Sequence, residues 1–161
     1  MTVHRQENTD DLNRLMEILN AVFGSALKQK LSVVFPIHPR TMSRLTNANF
    51  QFPSHVVVTE PLGYDDFLVL EKHARIITSD SGGLQEEGCI LKVPCLTLRE
   101  NTERPETIRI GSNILAGVQA KKIQTAFLKM MTSKIKWKSP YGGGKASQKI
   151  VKALLKLTKQ K

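Results

Sequence analysis

At 161 residues, with 40% hydrophobic and 24% charged residues, the chain suits one soluble domain large enough for a real core. No apolar run approaches the roughly 20 residues that cross a bilayer, and the amino terminus lacks a signal-peptide apolar region, so a cytoplasmic protein is expected. The net charge of +10 is uneven: from Lys121 onward lysines occur without Asp or Glu, with no aromatic interleaving and no arginine stripe, which argues against sequence-specific nucleic-acid readout.

Taken in chain order, strand and helix patterns alternate almost from end to end. Met1 to Val3 read as the end of a strand that runs straight into His4. Asp10 to Gln29 carries Leu12, Leu15, Met16, Leu19, Val22, Phe23 and Ala26 on one helical stripe, with Thr9 as the expected N-cap. Leu31 to Phe35 is a buried-strand run stopped by Pro36, Thr41 to Asn47 a short helix, Val56 to Val58 a strand, and Tyr64 to His73 a helix. Ala74 to Ile77 reads as a strand, Leu84 to Leu91 as a helix, and Pro94 to Leu98 and Asn113 to Ala116 as two further strands. Ile123 to Met131 is a helix. After the breaker Pro140-Tyr141-Gly142-Gly143-Gly144, a basic terminal segment over 145–161 is helical from Lys145 to Lys159. This alternation predicts an α/β fold, a doubly wound, Rossmann-like parallel sheet in one domain over 1–161.

Ligands in such sheets bind at the carboxyl ends of the strands. That edge carries His4-Arg5, His38-Pro39-Arg40, Glu60-Pro61-Leu62, Ser79 to Gly83 and Arg99-Glu100. The most informative stretch is Thr78-Ser79-Asp80-Ser81-Gly82-Gly83-Leu84-Gln85-Glu86-Glu87. A strand that feeds a small-residue turn and then a helix leaves backbone N–H groups free at the positive end of the helix dipole, a ready site for phosphate. Gly82 and Gly83 let an anion approach without a Cβ in the way. Cys89 and Cys95, the only cysteines, are too widely spaced for a CxxC motif and flanked by apolar residues; they read as reduced core thiols, with a metal or redox role as the alternative.

Six ordered segments resemble the non-hydrolysing UDP-N-acetylglucosamine 2-epimerases: Thr2 to Asn8, Phe35 to Thr41, Glu60 to Tyr64, Thr78 to Glu87, Leu98 to Glu106 and Ser139 to Ser147. The resemblance covers essentially the whole chain but only the carboxyl-terminal half of that family's two-domain protein. It implies one half of a glycosyltransferase-B type fold, in which two Rossmann-like domains face each other across a cleft. It implies interconversion of UDP-GlcNAc and UDP-ManNAc by elimination and re-addition of UDP, with acid and base carboxylates on the absent amino-terminal domain. UDP or UDP-GlcNAc is the implied ligand, and the amino-terminal domain, or a separate chain supplying it, the implied partner. No cofactor, metal or membrane is implied, and a homo-oligomer stays open.

Site roles follow from the same matching motifs. Ser81, Gly82 and Gly83 would bind the diphosphate, and Glu87 the ribose hydroxyls, although a solvated helix acid is its ordinary alternative. Phe67 would sit at the uracil with its backbone on the base edge, or else pack in the core with Leu68 and Leu70. His4 is the catalytic candidate, an imidazole able to steady the departing UDP or accept a proton. Arg5 adjoins it. Arg99 and Arg104 would bring permanent charge to the phosphates, Arg104 alternatively pairing with Glu103 or Glu106. His38 and Arg40 would border a second, regulatory nucleotide-sugar site. Gln85 and Glu86 fit helix-surface positions. Gly143 stands where the family usually has an aspartate.

Overall fold

The structure, a computed structural model, describes residues 1–158. In chain order the elements are α1 (Gln6–Thr9), α2 (Leu12–Lys28), β1 (Val33–Pro36), α3 (Pro39–Asn47), β2 (Val56–Thr59), α4 (Tyr64–His73) and β3 (Ile77–Ser79). They continue with α5 (Gly82–Leu91), β4 (Cys95–Thr97), α6 (Pro105–Arg109), β5 (Asn113–Leu115), α7 (Ala120–Thr132) and α8 (Ala146–Thr158). The terminal helix expected to reach Lys159 is described to Thr158; Lys159 lies outside the described residues.

Strand β1 pairs with β2, and β3 with β4 and β5, every pair parallel. The amino-terminal segment joins the two groups. The Met1 amine donates to Val34 O at 2.8 Å, Thr2 N donates to Thr78 O at 3.0 Å, and Thr2 bridges Ser79 in parallel. Counted with that segment as the first strand, the spatial order is 3-2-1-4-5-6, the Rossmann order. The chain moves outward one way through β1 and β2, then crosses to β3 and moves outward the other way. The crevice where the order reverses lies between the amino-terminal segment and β3.

Successive strand residues face opposite sides of a sheet, and β4 displays the consequence. Leu96 belongs to the larger core with Leu15, Ile18, Leu19 and Val22 of α2 and Ile123, Phe127 and Met130 of α7. Its neighbour Cys95 packs on the other side with Ile77, Val93 and, from α5, Leu84 and Leu91. Both faces are therefore covered, as parallel sheets require. Each fully buried Leu or Ile contributes about 1.5–3 kcal/mol, so the α2–α7 layer is the main source of stability. Cys89 and Cys95 are free thiols with no exposed surface, and burial pushes the Cys95 thiol up to about 12.

The segment after α7 returns to α5. Trp137 is buried and donates its indole N–H to Cys89 O at 3.0 Å, while Lys92 Nζ donates to Trp137 O at 2.5 Å. Tyr141 donates to Glu106 Oε1 at 2.8 Å. Beyond that anchor α8 buries nothing on this chain: Ile150, Val151, Leu154, Leu155 and Leu157 are all exposed.

Several boundaries differ from expectation. Thr9 does not cap α2; it ends α1, buried, with its hydroxyl donating to Arg5 O at 3.1 Å. Asp11 is the cap, accepting from Arg14 N at 3.1 Å. The strand expected over Ala74 to Ile77 sits further on, at Ile77–Ser79. The short helices α1 and α6 went unforeseen, because four or five residues hold too few apolar positions for a helical period to register.

Candidate functional site

The carboxyl edge at the switch point is built from four connections. Each was read as strand-end loop in the sequence, and the parallel sheet brings them together. Thr2, His4, Pro36, His38, Pro61, Leu62, Phe67, Ser81 and Leu84 line an open cleft of ≈ 220 Å³ there. A cavity of ≈ 320 Å³ at the opposite edge, bordered by Val22, Leu31, Val33 and Phe127 among others, lies at the amino ends of the strands, where such folds do not bind ligands.

Strand β3 ends at Ser79 and α5 opens at Gly82, with Ser81 as its extended N-cap residue. The Ser81 hydroxyl makes no capping bond, so the first amides of α5 keep their donors. Ser81 N itself donates to Ser79 Oγ at 2.9 Å, which fixes the turn. A Cβ on Gly83 would meet Ser81 Oγ at 3.9 Å and one on Gly82 would meet Glu103 Oε2 at 3.7 Å. Both are ordinary contacts. The fold itself does not demand glycine at either position; open approach to the amides is what the two glycines preserve.

His4 and Arg5 stand across the crevice, tied to the same turn through Asp80. This carboxylate has no exposed surface and accepts from His4 N at 3.2 and 3.1 Å, from Arg5 N at 2.9 Å and from Asn8 Nδ2 at 3.1 Å. The His4 Nδ1 atom lies 3.1 Å from Asp80 Oδ1. Burial pushes Asp80 upward, but the bonds from His4, Arg5 and Asn8 outweigh it and hold the carboxyl below its ordinary range. Arg5 Nε donates to Asp80 O at 3.2 Å, and its Nη groups make no hydrogen bond among the described residues. The imidazole rings of His4 and His38 lie 5.9 Å apart, centroid to centroid. Asp80 is the residue that sequence reading passed over: it stood inside the motif, but only the fold shows the amino-terminal segment beside it.

The other expected residues sit less simply. Arg99 is nearly buried and makes four hydrogen bonds, to Glu7 Oε1 at 3.1 Å, Glu103 Oε2 at 2.8 Å, Asn101 Oδ1 at 2.8 Å and Glu103 Oε1 at 3.0 Å. Those bonds raise the guanidinium further and pull the Glu103 carboxyl down to about 2. Arg99 thus shapes the rim by holding Glu103 beside the mouth of α5. Arg104 pairs with Glu86, not with Glu103 or Glu106, and its Nη1 donates to Glu103 O at 3.1 Å. Gln85, expected on the helix surface, is wholly buried: its Oε1 accepts from Thr102 Oγ1 at 2.6 Å and Asn113 Nδ2 at 3.1 Å.

Phe67 lines the cleft, half-buried, but its N–H is used within the helix, donating to Gly63 O at 2.9 Å. Glu87 lies on α5 facing the α4 residue Glu71. Burial raises both carboxyls, Glu71 to about 8 with the charge of Glu87 adding to the effect. Among the described residues no group meets either Glu71 oxygen in hydrogen-bond geometry, and Glu87 is the carboxyl that faces it. His38 caps α3, its Nδ1 accepting from Arg40 N at 3.2 Å, and Arg40 pairs with Asp10 at 2.8 Å. His38 lines the cleft just ahead of α3, whereas Arg40 is not among the residues that line it.

Residues 1–155 match the family described as UDP-N-acetylglucosamine 2-epimerase. The chain belongs to that family. It is 46% identical over 158 residues to the UDP-N-acetylglucosamine 2-epimerase of Methanocaldococcus jannaschii, covering 96% of this chain and 43% of that protein. It is 34% identical over 157 residues to the UDP-2,3-diacetamido-2,3-dideoxy-D-glucuronate 2-epimerase of Pseudomonas aeruginosa, covering 97% of this chain and 44% of that protein. Superposition on the M. jannaschii enzyme in complex with UDP-GlcNAc and UDP gives a TM-score of 0.89 at 46% identity over 96% of this chain and 44% of that one. The fold is accordingly one Rossmann-like half of a glycosyltransferase-B type epimerase. The chain spans less than half the length of the relatives it matches.

Proposed function

We propose that this chain is the UDP-holding half of a UDP-GlcNAc 2-epimerase. The observation that carries the reading is the uncapped start of α5 at Ser81, Gly82 and Gly83, opening into a cleft at the switch point beside His4 and Arg5. Backbone amides at a helix start suit a diphosphate, and Arg5 adds a guanidinium whose outer nitrogens are unpaired. Glu87, further along α5, takes the ribose hydroxyls, and Phe67 flanks the base.

In the proposed reaction a base removes the C2 proton of the sugar while the C1–O bond breaks and UDP departs with the bonding electrons. Re-addition to the other face gives the epimer. This chain steadies the departing diphosphate through the α5 amides, Arg5 and His4. The groups that move the sugar proton lie on the amino-terminal half, whose docking surface includes the exposed apolar face of α8. The sugar is set largely by that other half, consistent with two relatives named for different UDP-sugars. Further work at this edge by His38 and Arg40 as a second nucleotide-sugar site depends on the same missing half.

Titration calorimetry with UDP, UDP-GlcNAc and ATP tests the reading. UDP and UDP-GlcNAc are expected to bind and ATP not to, with Glu87→Ala weakening UDP by about tenfold, near 1.4 kcal/mol. Equal binding of all three, falling steeply with salt, would point instead to bulk positive charge.

A further inference from the structure

We propose that Asp80 is a positioning residue for His4, holding the imidazole as its Nδ1–H tautomer so that Nε2 is the atom presented to the cleft. The inference rests on the reading above in one respect: the cleft that Nε2 faces is taken to hold the departing diphosphate.

The argument begins with what surrounds the carboxylate. Asp80 has no exposed surface, and its partners, the backbone N–H groups of His4 and Arg5 and the side-chain amide of Asn8, are donors. A carboxylate held ionised by three such donors can only accept. The ring atom of His4 nearest it is Nδ1, 3.1 Å from Oδ1; a bare lone pair facing a carboxylate oxygen at that distance is repelled, so the contact selects hydrogen on that nitrogen. Free histidine favours the opposite arrangement, with the proton on Nε2, so the tautomer is imposed here.

Asp80 also anchors His4 twice, through the backbone N–H and through the ring. Two attachments to one carboxylate fix the ring's orientation as well as its protonation. The ring remains 39% exposed on its other side, where it lines the cleft with Ser81 and His38. Nε2 is then a bare acceptor for a proton from the medium or, once protonated, a donor to a phosphate oxygen. In the second state the carboxylate balances the charge of the ring. A carboxylate in this place does for His4 what carboxylate partners do for imidazoles generally: it sets which nitrogen works and where it points.

The geometry also says what an amide would do in its place. Oδ2 of Asp80 takes the Arg5 N–H, the Asn8 amide and the shorter branch of the His4 N–H, whereas Oδ1 meets the ring and only the longer branch of that N–H. In Asp80→Asn the amide oxygen must stay with the donors on Oδ2, which turns the NH2 group toward Nδ1. An NH2 group there requires a bare Nδ1 and so moves the proton to Nε2.

The test is long-range proton–nitrogen correlation NMR on the 15N-labelled chain at alkaline pH, where imidazole is neutral. The wild-type His4 is expected to show a protonated Nδ1 and a bare Nε2, and Asp80→Asn to reverse that pattern. A protonated Nε2 or an averaged spectrum in the wild type overturns the proposal, as does a folded Asp80→Asn with an unchanged His4 spectrum. Should the variant fail to fold, the wild-type spectrum decides alone. Calorimetry with UDP on the same sample separates the two claims. UDP binding with the wrong tautomer sinks only the role of Asp80, whereas the right tautomer without UDP binding sinks only the nucleotide reading.

Discussion

At the scale of single residues, the glycines of α5 separate function from folding. Alanine at Gly82 or Gly83 meets only ordinary contacts and improves helix propensity, so stability is expected to hold or rise by up to about 0.5–1 kcal/mol. The same methyl groups stand where an anion would reach the amides, and UDP affinity should drop more than tenfold in calorimetry. Gly88 reverses the pattern. A Cβ there would lie 3.1 Å from Val93 O and 3.2 Å from Ile77 Cδ1, so Gly88→Ala should lose about 1–3 kcal/mol by urea denaturation. Glu71 supplies a pH-dependent case. Its folded value of about 8 stands above the ordinary value of 4.5, so the folded state binds the extra proton and stability falls as pH rises between those two values. Glu71→Gln removes this effect. Its stability advantage over the wild type should grow from mildly acidic to alkaline pH and exceed about 1 kcal/mol at the top of that range, read from paired denaturant midpoints. An advantage independent of pH would contradict a protonated, buried Glu71.

At the scale of elements, three helices end on residues other than glycine in the left-handed region: Lys30 after α2, Asn49 after α3 and Lys92 after α5. Each is followed by a bond that closes the helix end, from Leu31 N to Ala26 O, Phe50 N to Leu45 O and Val93 N to Gly88 O. A side chain in that region costs about 1–2 kcal/mol and glycine returns part of it as unfolded-state entropy. Lys30→Gly should therefore stabilise the chain by about 0.5 kcal/mol. Lys92→Gly should not, because it deletes the bond from Nζ to Trp137 O that ties the closing segment to α5. Thermal midpoints of the two variants against wild type check the contrast. The helices that support the site were legible wherever they were long: α4 runs over the residues read from the sequence, and α5 ends at Leu91 as read but opens two residues earlier, on Gly82. The caps were less legible, since Asp11 and Thr9 differ only in which of two neighbouring turns each belongs to.

At the scale of the whole molecule, the cleft is one-sided. Its floor is the α5 mouth, and under the proposed function its far wall comes from the amino-terminal half that the longer relatives carry. Elimination needs a base at the sugar, so the isolated chain is expected to bind UDP yet convert no UDP-GlcNAc to UDP-ManNAc; any clear conversion by the pure protein, followed by NMR of the sugar, would refute that division of labour. The exposed Ile150, Val151, Leu154, Leu155 and Leu157 of α8 are the apolar surface that the proposed function assigns to contact with that half.

What the sequence determined by itself was local: alternating strands and helices, a glycine turn able to receive phosphate, and the ordered motifs of the epimerases. Those signals live in runs of neighbouring residues, where periodicity and turn chemistry act. Only the tertiary structure decided which charges are free. Arg99 and Arg104, natural phosphate candidates on their motif, are paired with Glu7, Glu103 and Glu86, while the outer nitrogens of Arg5 make no hydrogen bond among the described residues. Gln85 proved to be a core tie, and Asp80 the anchor of His4. Apart from the local tie of Arg99 to Glu103, these depend on partners many positions away along the chain, and a hydrogen bond is decided by distance in space.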